Sequence, residues 1–92
     1  MIPLPDKLRK NGFNYTLIRR EGRSAIYEQT YTDKIKYYEV FTLQVRPKEV
    51  IHGKEYPERE VFPPDSDFGV IAWSCRALKD AMKRMNEINQ HE

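Results

Sequence analysis

The sequence contains a single cysteine, Cys75, and therefore cannot form a disulfide within the chain. Small secreted domains usually depend on several disulfides, so we expect a reducing compartment. No apolar run approaches the roughly 18 residues that a membrane-spanning helix needs. The first residues also lack the basic-then-apolar order of a signal peptide. Together these absences predict a cytoplasmic protein that does not enter the membrane.

Motifs for binding metals and phosphates are missing as well. Besides Cys75, the soft or imidazole ligands are His52 and His91, and no two of the three have the spacing of a zinc site. The four glycines are isolated from one another, so no glycine-rich loop is available for a nucleotide phosphate. We therefore expect no metal, no cofactor and no enzymatic activity.

One short segment does hold side chains that serve in acid–base chemistry. His52, Lys54 and Tyr56 surround Gly53, and each of the three can act as an acid or a base. A glycine-centred turn between charged residues is usually only a turn. As an enzyme hypothesis, this segment predicts that the three side chains converge on a concave site beside a group from another element.

The composition is that of one globular domain. Charged residues make up 33% of the 92 residues and hydrophobic residues 39%, values that argue against disorder. The formal net charge is +2, and six basic residues against two acids lie in the first 23 positions. Dedicated nucleic-acid binders usually exceed a pI of about 9, and the sequence pI here is about 8.7. Charge alone therefore does not identify the ligand.

The order of the elements predicts an α+β fold in a single domain over 1–92. Residues 1–12 are expected to form an irregular arm, because Pro3 and Pro5 disfavour regular structure. Runs rich in aromatic and β-branched residues predict a three-stranded antiparallel sheet in sequential order. Its strands are expected over 13–20, 23–31 and 37–46.

A long connection and one C-terminal helix are predicted to follow the sheet. The connection over 47–67 is expected to be ordered, since loops longer than about 12–15 residues usually carry structure or function. Apolar residues from Phe68 onward recur at three- and four-residue spacing, which predicts a helix over 68–88 with 89–92 frayed. We expect this helix to pack on one face of the sheet, with a core of Leu17, Tyr27, Phe41, Leu43, Ile71, Trp73, Cys75, Leu78 and Met82.

Turn geometry predicts which side chains share a face. A three-residue loop centred on Gly22 places Leu17 opposite Tyr27 and Arg20 opposite Ser24, whereas a two-residue loop separates Leu17 from Tyr27. A second loop over 32–36 places Tyr27 opposite Phe41. Most aromatic side chains then lie on one face, and we expect the helix to cover that face.

The opposite face leaves an apolar patch of Ile18, Ile26, Tyr38 and Val40. Leaving these side chains in water forgoes the stabilisation that their burial provides. We therefore predict that the patch binds a protein, either a partner or a second copy of the chain. The alternative is that the 47–67 connection folds back and covers it.

The same outer face carries polar and basic side chains that suit a nucleic acid. Arg20, Arg46, Thr42 and Gln44 are of the types that contact bases and phosphates. Lys7, Arg9 and Lys10 of the arm, together with Arg23, are expected to add contacts along the phosphate backbone. In the order of its elements the chain resembles the small β-β-β-α DNA-binding domains of plant transcription factors and phage integrases. That resemblance implies a sheet face placed in the major groove, so nucleic acid is the alternative ligand.

A second resemblance is carried by short segments of the sequence. These are Tyr38-Glu39-Val40-Phe41, Tyr56-Pro57, Phe68-Gly69 and Ala72-Trp73. In these segments the chain resembles small uncharacterised proteins of bacterial phages and integrative elements. The resemblance implies a compact accessory protein of a mobile element that acts on host or defence machinery or binds nucleic acid. It assigns no functional residue.

Overall fold

The structure of the protein is a computed structural model that describes residues 1–32 and 35–90. Over these residues the chain forms nine strands, a short 3-10 helix and one α-helix. In chain order they are β1 (Lys7–Lys10), β2 (Phe13–Glu21), β3 (Ser24–Thr32), β4 (Ile35–Thr42), β5 (Gln44–Arg46), β6 (Glu49–Ile51), β7 (Lys54–Tyr56), β8 (Arg59–Val61), the 3-10 helix (Asp65–Asp67), β9 (Ala72–Cys75) and α1 (Leu78–Gln90).

The main element is a five-stranded antiparallel sheet in the order β1-β2-β3-β4-β9. Two small antiparallel pairs, β5-β8 and β6-β7, are formed by the segment that precedes the helix. The predicted α+β class with one C-terminal helix is confirmed. The expected sheet of three strands is corrected to five, because β1 comes from the predicted arm and β9 from the predicted helix.

The helix is shorter than its apolar spacing predicted. Gly69 has a φ of 91°, which a helix interior does not adopt, and β9 forms where helix was expected. In β9, Trp73 and Cys75 face one side of the sheet and Ala72 the other, which is strand alternation. Leu78, the first residue of α1, is 38% exposed and does not belong to the core as predicted, whereas Met82 and Met85 of the apolar spacing do pack on the sheet. Of the tail expected to fray, 89 and 90 belong to α1, and 91–92 lie outside the described residues.

A β-bulge at Ile18 sets the register of β2 on β3. Leu17 lies opposite Tyr27 as predicted, yet the turn holds only two residues, so that Glu21 lies opposite Ser24. Between these two pairs β2 has one residue more than β3, and the bulge accommodates this extra residue. Consequently Arg20 lies opposite the buried Ala25 and not opposite Ser24.

The pairing of β3 with β4 differs from the prediction by two residues. Tyr27 lies opposite Glu39, where Phe41 was expected. Because side chains alternate with a period of two, this shift leaves every side chain on its predicted face. Residues 33 and 34 of the connecting turn lie outside the described residues.

One face of the sheet, here called the aromatic face, is covered by non-helical segments of the chain. Its buried residues are Tyr15, Ala25, Tyr27, Phe41 and Ala72. The Phe62 ring lies over three of them, with centroids 4.8 Å from Tyr15, 5.6 Å from Tyr27 and 5.0 Å from Phe41. The Tyr27 hydroxyl donates a hydrogen bond to the Pro5 carbonyl at 2.7 Å. The N-terminal segment and the end of the predicted connection therefore form this half of the core.

The opposite face, here called the helix face, is covered by α1. Ile26 and Val40 are completely buried beneath Ala81 and Met85, and Tyr38 is partly buried beside them. The helix therefore packs on the face expected to be exposed, because Phe62 and the N-terminal segment already cover the aromatic face. This corrects the predicted docking patch: Ile26 and Val40 are core residues, Tyr38 borders the core, and Ile18 alone is exposed.

The segment over 47–67 carries the remaining strands. β8 pairs with β5, and Ile2 bridges to Arg59 on the other side of β8. β6 and β7 form a hairpin whose tip is His52-Gly53. Across the described residues, α1 is the single α-helix, and no helix is long and apolar enough to cross a membrane.

Candidate binding groove

A groove lies on the helix face between the C-terminal half of α1 and the adjoining ends of β4 and β9. It encloses about 470 Å³, a size typical of sites that bind small ligands or a few side chains. The groove, here called the β9–α1 groove, is lined by Arg23, Thr42, Gln44, Ile71, Trp73, Arg84, Glu87 and Ile88. Its lining combines apolar and neutral polar side chains with two arginines and one glutamate, so a single positive charge is left in excess for a ligand that is partly apolar and partly anionic.

Trp73 and Arg84 form the wall between the two elements. The Arg84 guanidinium carbon lies 4.5 Å from the centroid of the Trp73 ring, and Arg84 Nη1 lies 3.2 Å from Glu87 Oε2. The stacked ring and cation join β9 to α1. A second, smaller depression continues past this wall and is lined by Cys75, Asp80 and Lys83 together with Arg84 and Glu87. The groove thus extends along the helix beside β9.

Arg23 enters the groove from the β2–β3 turn, and its main chain is held on both sides. Its N–H donates to Asn89 Oδ1 at 3.2 Å, and its carbonyl accepts from the N–H of Leu43 at 2.7 Å. Asn89 also donates from Nδ2 to the Glu21 carbonyl at 3.1 Å and accepts from Ser24 Oγ at 3.1 Å. The end of α1 therefore fixes the turn. Among the described residues, the Arg23 guanidinium makes no ion pair, in contrast to that of Arg84.

The two edges of the main sheet differ in charge. β1 has the sequence KLRK, and β9 has the sequence AWSC without a charged residue. Lysine and arginine on an edge strand oppose pairing with another chain. The β1 edge is protected in this way, and the β9 edge beside the groove is not.

The backbone of β9 presents hydrogen-bonding groups at this edge. The N–H of Thr42 donates to the carbonyl of Ile71 at 3.0 Å, so alternate residues Trp73 and Cys75 also direct their main chain towards β4. The main-chain groups of Ala72 and Ser74 consequently point outward. The Ala72 carbonyl accepts from the N–H of Gly69 at 2.7 Å, which closes this end of the edge. The N–H and C=O of Ser74 remain directed outward.

The predicted nucleic-acid residues do not form one surface. Thr42 and Gln44 line the groove. Lys7 and Arg9 lie on β1, at the far edge of the sheet, and Arg46 is exposed on β5. Lys10 is turned inward: its Nζ donates to the Pro63 carbonyl at 3.2 Å and lies 5.2 Å from the Phe62 ring centroid.

Arg20 was expected on the outer face, and the bulge at Ile18 places it on the aromatic face instead. There its two terminal nitrogens bind both carboxylate oxygens of Glu60, with Nη1 2.6 Å from Oε1. These hydrogen bonds hold the pKa of Glu60 below its ordinary value of 4.5 in spite of burial, and they raise the pKa of Arg20. The guanidinium of Arg20 is therefore engaged within the fold by Glu60.

Among the described residues, Tyr56 alone of the three residues of the enzyme hypothesis contacts another element, through the guanidinium of Arg59 on β8. His52 and Lys54 are exposed, and Lys54 Nζ lies 5.5 Å from the ring of Tyr56 on the same hairpin. The hairpin is joined to β8 by Arg59, which lies 3.4 Å from Glu49 and 5.7 Å from the Tyr56 ring centroid. No cluster of metal-ligating side chains occurs in the described part of the chain. Burial raises the pKa of Cys75, as for an unreactive thiol.

The comparisons with known proteins give no relative. No protein-family model matches the sequence. No curated protein and no solved structure is significantly similar to it.

The sequence predicted three of the groove residues, Arg23, Thr42 and Gln44, as ligand contacts and did not predict the others. Thr42 and Gln44 follow from strand alternation after Val40. Trp73 was assigned to the core as part of the predicted helix, and Arg84 was not singled out. The strand alternation of Ala72 and Trp73 was a usable signal, but the longer apolar spacing that continues to Met85 obscured it.

Proposed function

We propose that the protein is a small, non-enzymatic protein-binding module of the cytoplasm, and that an extended segment of a partner protein adds to the main sheet at β9. In this proposal the main chain of the segment pairs with Ser74, and its side chains enter the β9–α1 groove. Addition of a strand to a sheet edge gains affinity from main-chain hydrogen bonds and specificity from adjoining pockets.

The observation that carries the proposal is the contrast between the two edges of the sheet. The β1 edge carries Lys7, Arg9 and Lys10, and the β9 edge carries no charged residue. The unprotected edge is also the one that adjoins the groove and directs the Ser74 N–H and C=O outward. An edge of this kind is open to pairing with another chain.

A partner segment is favoured over a second copy because of the chemistry of the groove. The groove contains the guanidinium of Arg23, which has no ion-pair partner in the described part of the chain, together with the apolar side chains of Ile71 and Ile88. β9 of a second copy would offer this site four uncharged residues, whereas an acidic segment of another protein offers a complementary charge. The predicted role as an accessory protein of a mobile element is retained as part of the proposal, with a host protein as the partner.

Nucleic acid is the competing ligand, since Thr42, Gln44 and Arg23 lie together with Trp73 in the groove. An aromatic ring and cations are what a single strand uses for stacking and phosphate contacts. The remaining candidates argue for the protein ligand. Arg20 and Lys10 are held by contacts within the fold, and Lys7 and Arg9 lie at the opposite edge.

The proposal is tested with two proline variants of the same design. Peptides are first selected for binding to the wild-type chain from a displayed random library with free C termini. Ser74→Pro removes one outward N–H and no hydrogen bond to β4, so the fold is expected to tolerate it. Arg9→Pro removes an outward N–H from the β1 edge, because Leu8 and Lys10 are the residues whose main chain is directed towards β2. Circular dichroism and thermal unfolding verify that both variants are folded.

The expected result is that Ser74→Pro lowers the affinity for the selected peptides at least about tenfold, the equivalent of one to two hydrogen bonds. Arg9→Pro is expected to bind them as the wild type does. Selected peptides that bind Ser74→Pro as tightly as the wild type would contradict the proposal. A chain that selects no peptide but binds a single-stranded oligonucleotide in a salt-sensitive, Arg23-dependent manner would replace it with the nucleic-acid function.

A further inference from the structure

The outer edge of β9 is closed at its Ala72 end, and this restricts where a paired strand can run. The Gly69 N–H and the Ala72 carbonyl form a hydrogen bond of 2.7 Å across the outer edge of β9. A strand that pairs with Ser74 meets this turn and cannot continue past Ala72 along the sheet. It must end there or leave the sheet.

The same end of β9 is where Arg23 enters the groove. β9 is antiparallel to β4, with Ala72 opposite Phe41, so the start of β9 lies beside the end of β4. Thr42, Gln44 and Ile71 of the groove lining are located there together with Arg23. An incoming strand that runs antiparallel to β9 has its C-terminal end at this position.

Arg23 presents an exposed side chain to the groove from a fixed main chain. Its N–H is bound by Asn89 and its carbonyl by Leu43, so the main chain is fixed without use of the side chain. The other groove arginine, Arg84, is engaged by Glu87 at 3.2 Å and by the Trp73 ring. Arg23 is thus the cation of the groove that lacks a partner among the described residues. A planar guanidinium binds a carboxylate through two parallel hydrogen bonds.

We infer that the docking strand ends in the groove and that Arg23 binds its free C-terminal carboxylate. The inference rests on the proposed function, and it specifies the partner as a protein whose C terminus is extended and accessible. Gln44 and Thr42 supply neutral hydrogen-bonding groups beside the carboxylate, and Ile71 and Ile88 form the apolar part of the pocket for the terminal side chain. Capture of a terminal carboxylate at the end of an added strand is an established mode of peptide recognition.

The experiment uses one selected peptide, synthesised as the free acid and as the C-terminal amide. Both forms are titrated into the wild-type chain, Arg23→Gln and Arg46→Gln. Arg46 is the matched control because it is an exposed arginine that does not line the groove. Arg23→Lys is a second variant, in which a point charge replaces the guanidinium and the two parallel hydrogen bonds are lost.

The wild type and Arg46→Gln are expected to bind the acid about tenfold more tightly than the amide. Arg23→Gln is expected to bind both forms with the affinity that the wild type has for the amide, and Arg23→Lys to retain a smaller preference. Equal affinities of the wild type for the two forms would overturn the inference, and so would an acid preference that persists in Arg23→Gln. If either occurs while Ser74→Pro still weakens binding at least about tenfold, the proposed function stands and the carboxylate site does not.

Discussion

Arg20 and Glu60 form a two-pronged ion pair that joins the main sheet to β8. The Glu60 side chain is only 3% exposed, and its carboxylate also accepts a hydrogen bond from the N–H of Leu4 at 3.0 Å. The pair exists because the bulge at Ile18 shifts Arg20 to the aromatic face. One inserted residue thus converts a candidate ligand-binding arginine into an internal contact between three segments of the chain.

Glu60→Gln is expected to destabilise the fold in a pH-dependent manner. The folded-state pKa of Glu60 is lowered, so its contribution to stability is complete above the ordinary pKa of 4.5 and is lost as the pH falls through the folded-state value. At neutral pH the loss is expected to be about 1–3 kcal/mol, below the range for fully buried pairs because Arg20 is 39% exposed. Urea unfolding of both chains at neutral and at strongly acid pH measures the difference.

The control for this prediction is Glu55→Gln. Glu55 pairs with Lys48 at 2.8 Å, but both side chains are about two-thirds exposed, at 65% and 67%. Its loss should change the free energy of unfolding by less than about 1 kcal/mol. A Glu60→Gln penalty that is the same at both pH values would show that the ion pair does not supply the stability assigned to it.

Asn89→Ala is expected to cost about 0.5–1.5 kcal/mol, because the exposed N–H of Arg23 and carbonyl of Glu21 exchange their side-chain partner for water. Asn86→Ala, an exposed asparagine of the same helix, should be nearly neutral. Gly22→Ala is expected to destabilise the turn for two reasons, because Gly22 has a φ of 58° and an added Cβ would lie 2.9 Å from Asn89 Oδ1. Thermal unfolding of the three variants is the measurement. Equal stabilities of the two asparagine variants would show that Asn89 does not stabilise the β2–β3 turn.

Met85→Ala is expected to cost about 2–5 kcal/mol, as for a large side chain removed from a closed core. Met85 is completely buried against Ile26 and Val40, whereas Leu78 is 38% exposed. Leu78→Ala should therefore cost less than half as much, although the sequence alone placed Leu78 in the core. Chemical denaturation of the two variants compares them directly, and a larger loss for Leu78→Ala would contradict the observed phase of α1.

Trp73 is expected to report binding at the groove by its fluorescence. It is the only tryptophan of the chain and lies in the groove wall beneath the Arg84 guanidinium. A selected peptide should shift its emission and shield it from iodide quenching. Ser74→Pro mixed with the same peptide should show neither effect. Tight peptide binding that leaves the emission of Trp73 unchanged would locate the ligand elsewhere.

The sequence predicted the central sheet well because strand signals are local. Aromatic and β-branched residues over β2–β4 define the strands, and alternation assigns their faces even where the register is wrong by two. The residues around Ile18 do not indicate a bulge. The bulge is needed because Leu17 pairs with Tyr27 although the turn between β2 and β3 has only two residues. For this reason Arg20 was predicted on the wrong face.

The groove was less accessible to prediction because it depends on tertiary packing. Both faces of the sheet need a cover, and the pattern of the strands does not say which face takes the helix. Phe62 and the N-terminal segment cover the aromatic face, so α1 lies on the face of Ile26 and Val40 and creates the groove at its side. Thr42 and Gln44 were identified from alternation alone, but their neighbours Trp73 and Arg84 require β9 to be recognised as a strand.

The most direct test of the account is amide hydrogen exchange at Ser74, measured by NMR with and without a selected peptide. The Ser74 amide has no partner across the β9 edge among the described residues. Strand addition at β9 predicts that this amide becomes strongly protected when the peptide binds. The Arg9 amide at the opposite edge should exchange at the same rate in both samples. A bound peptide that leaves the exchange of Ser74 unchanged would contradict strand addition at β9.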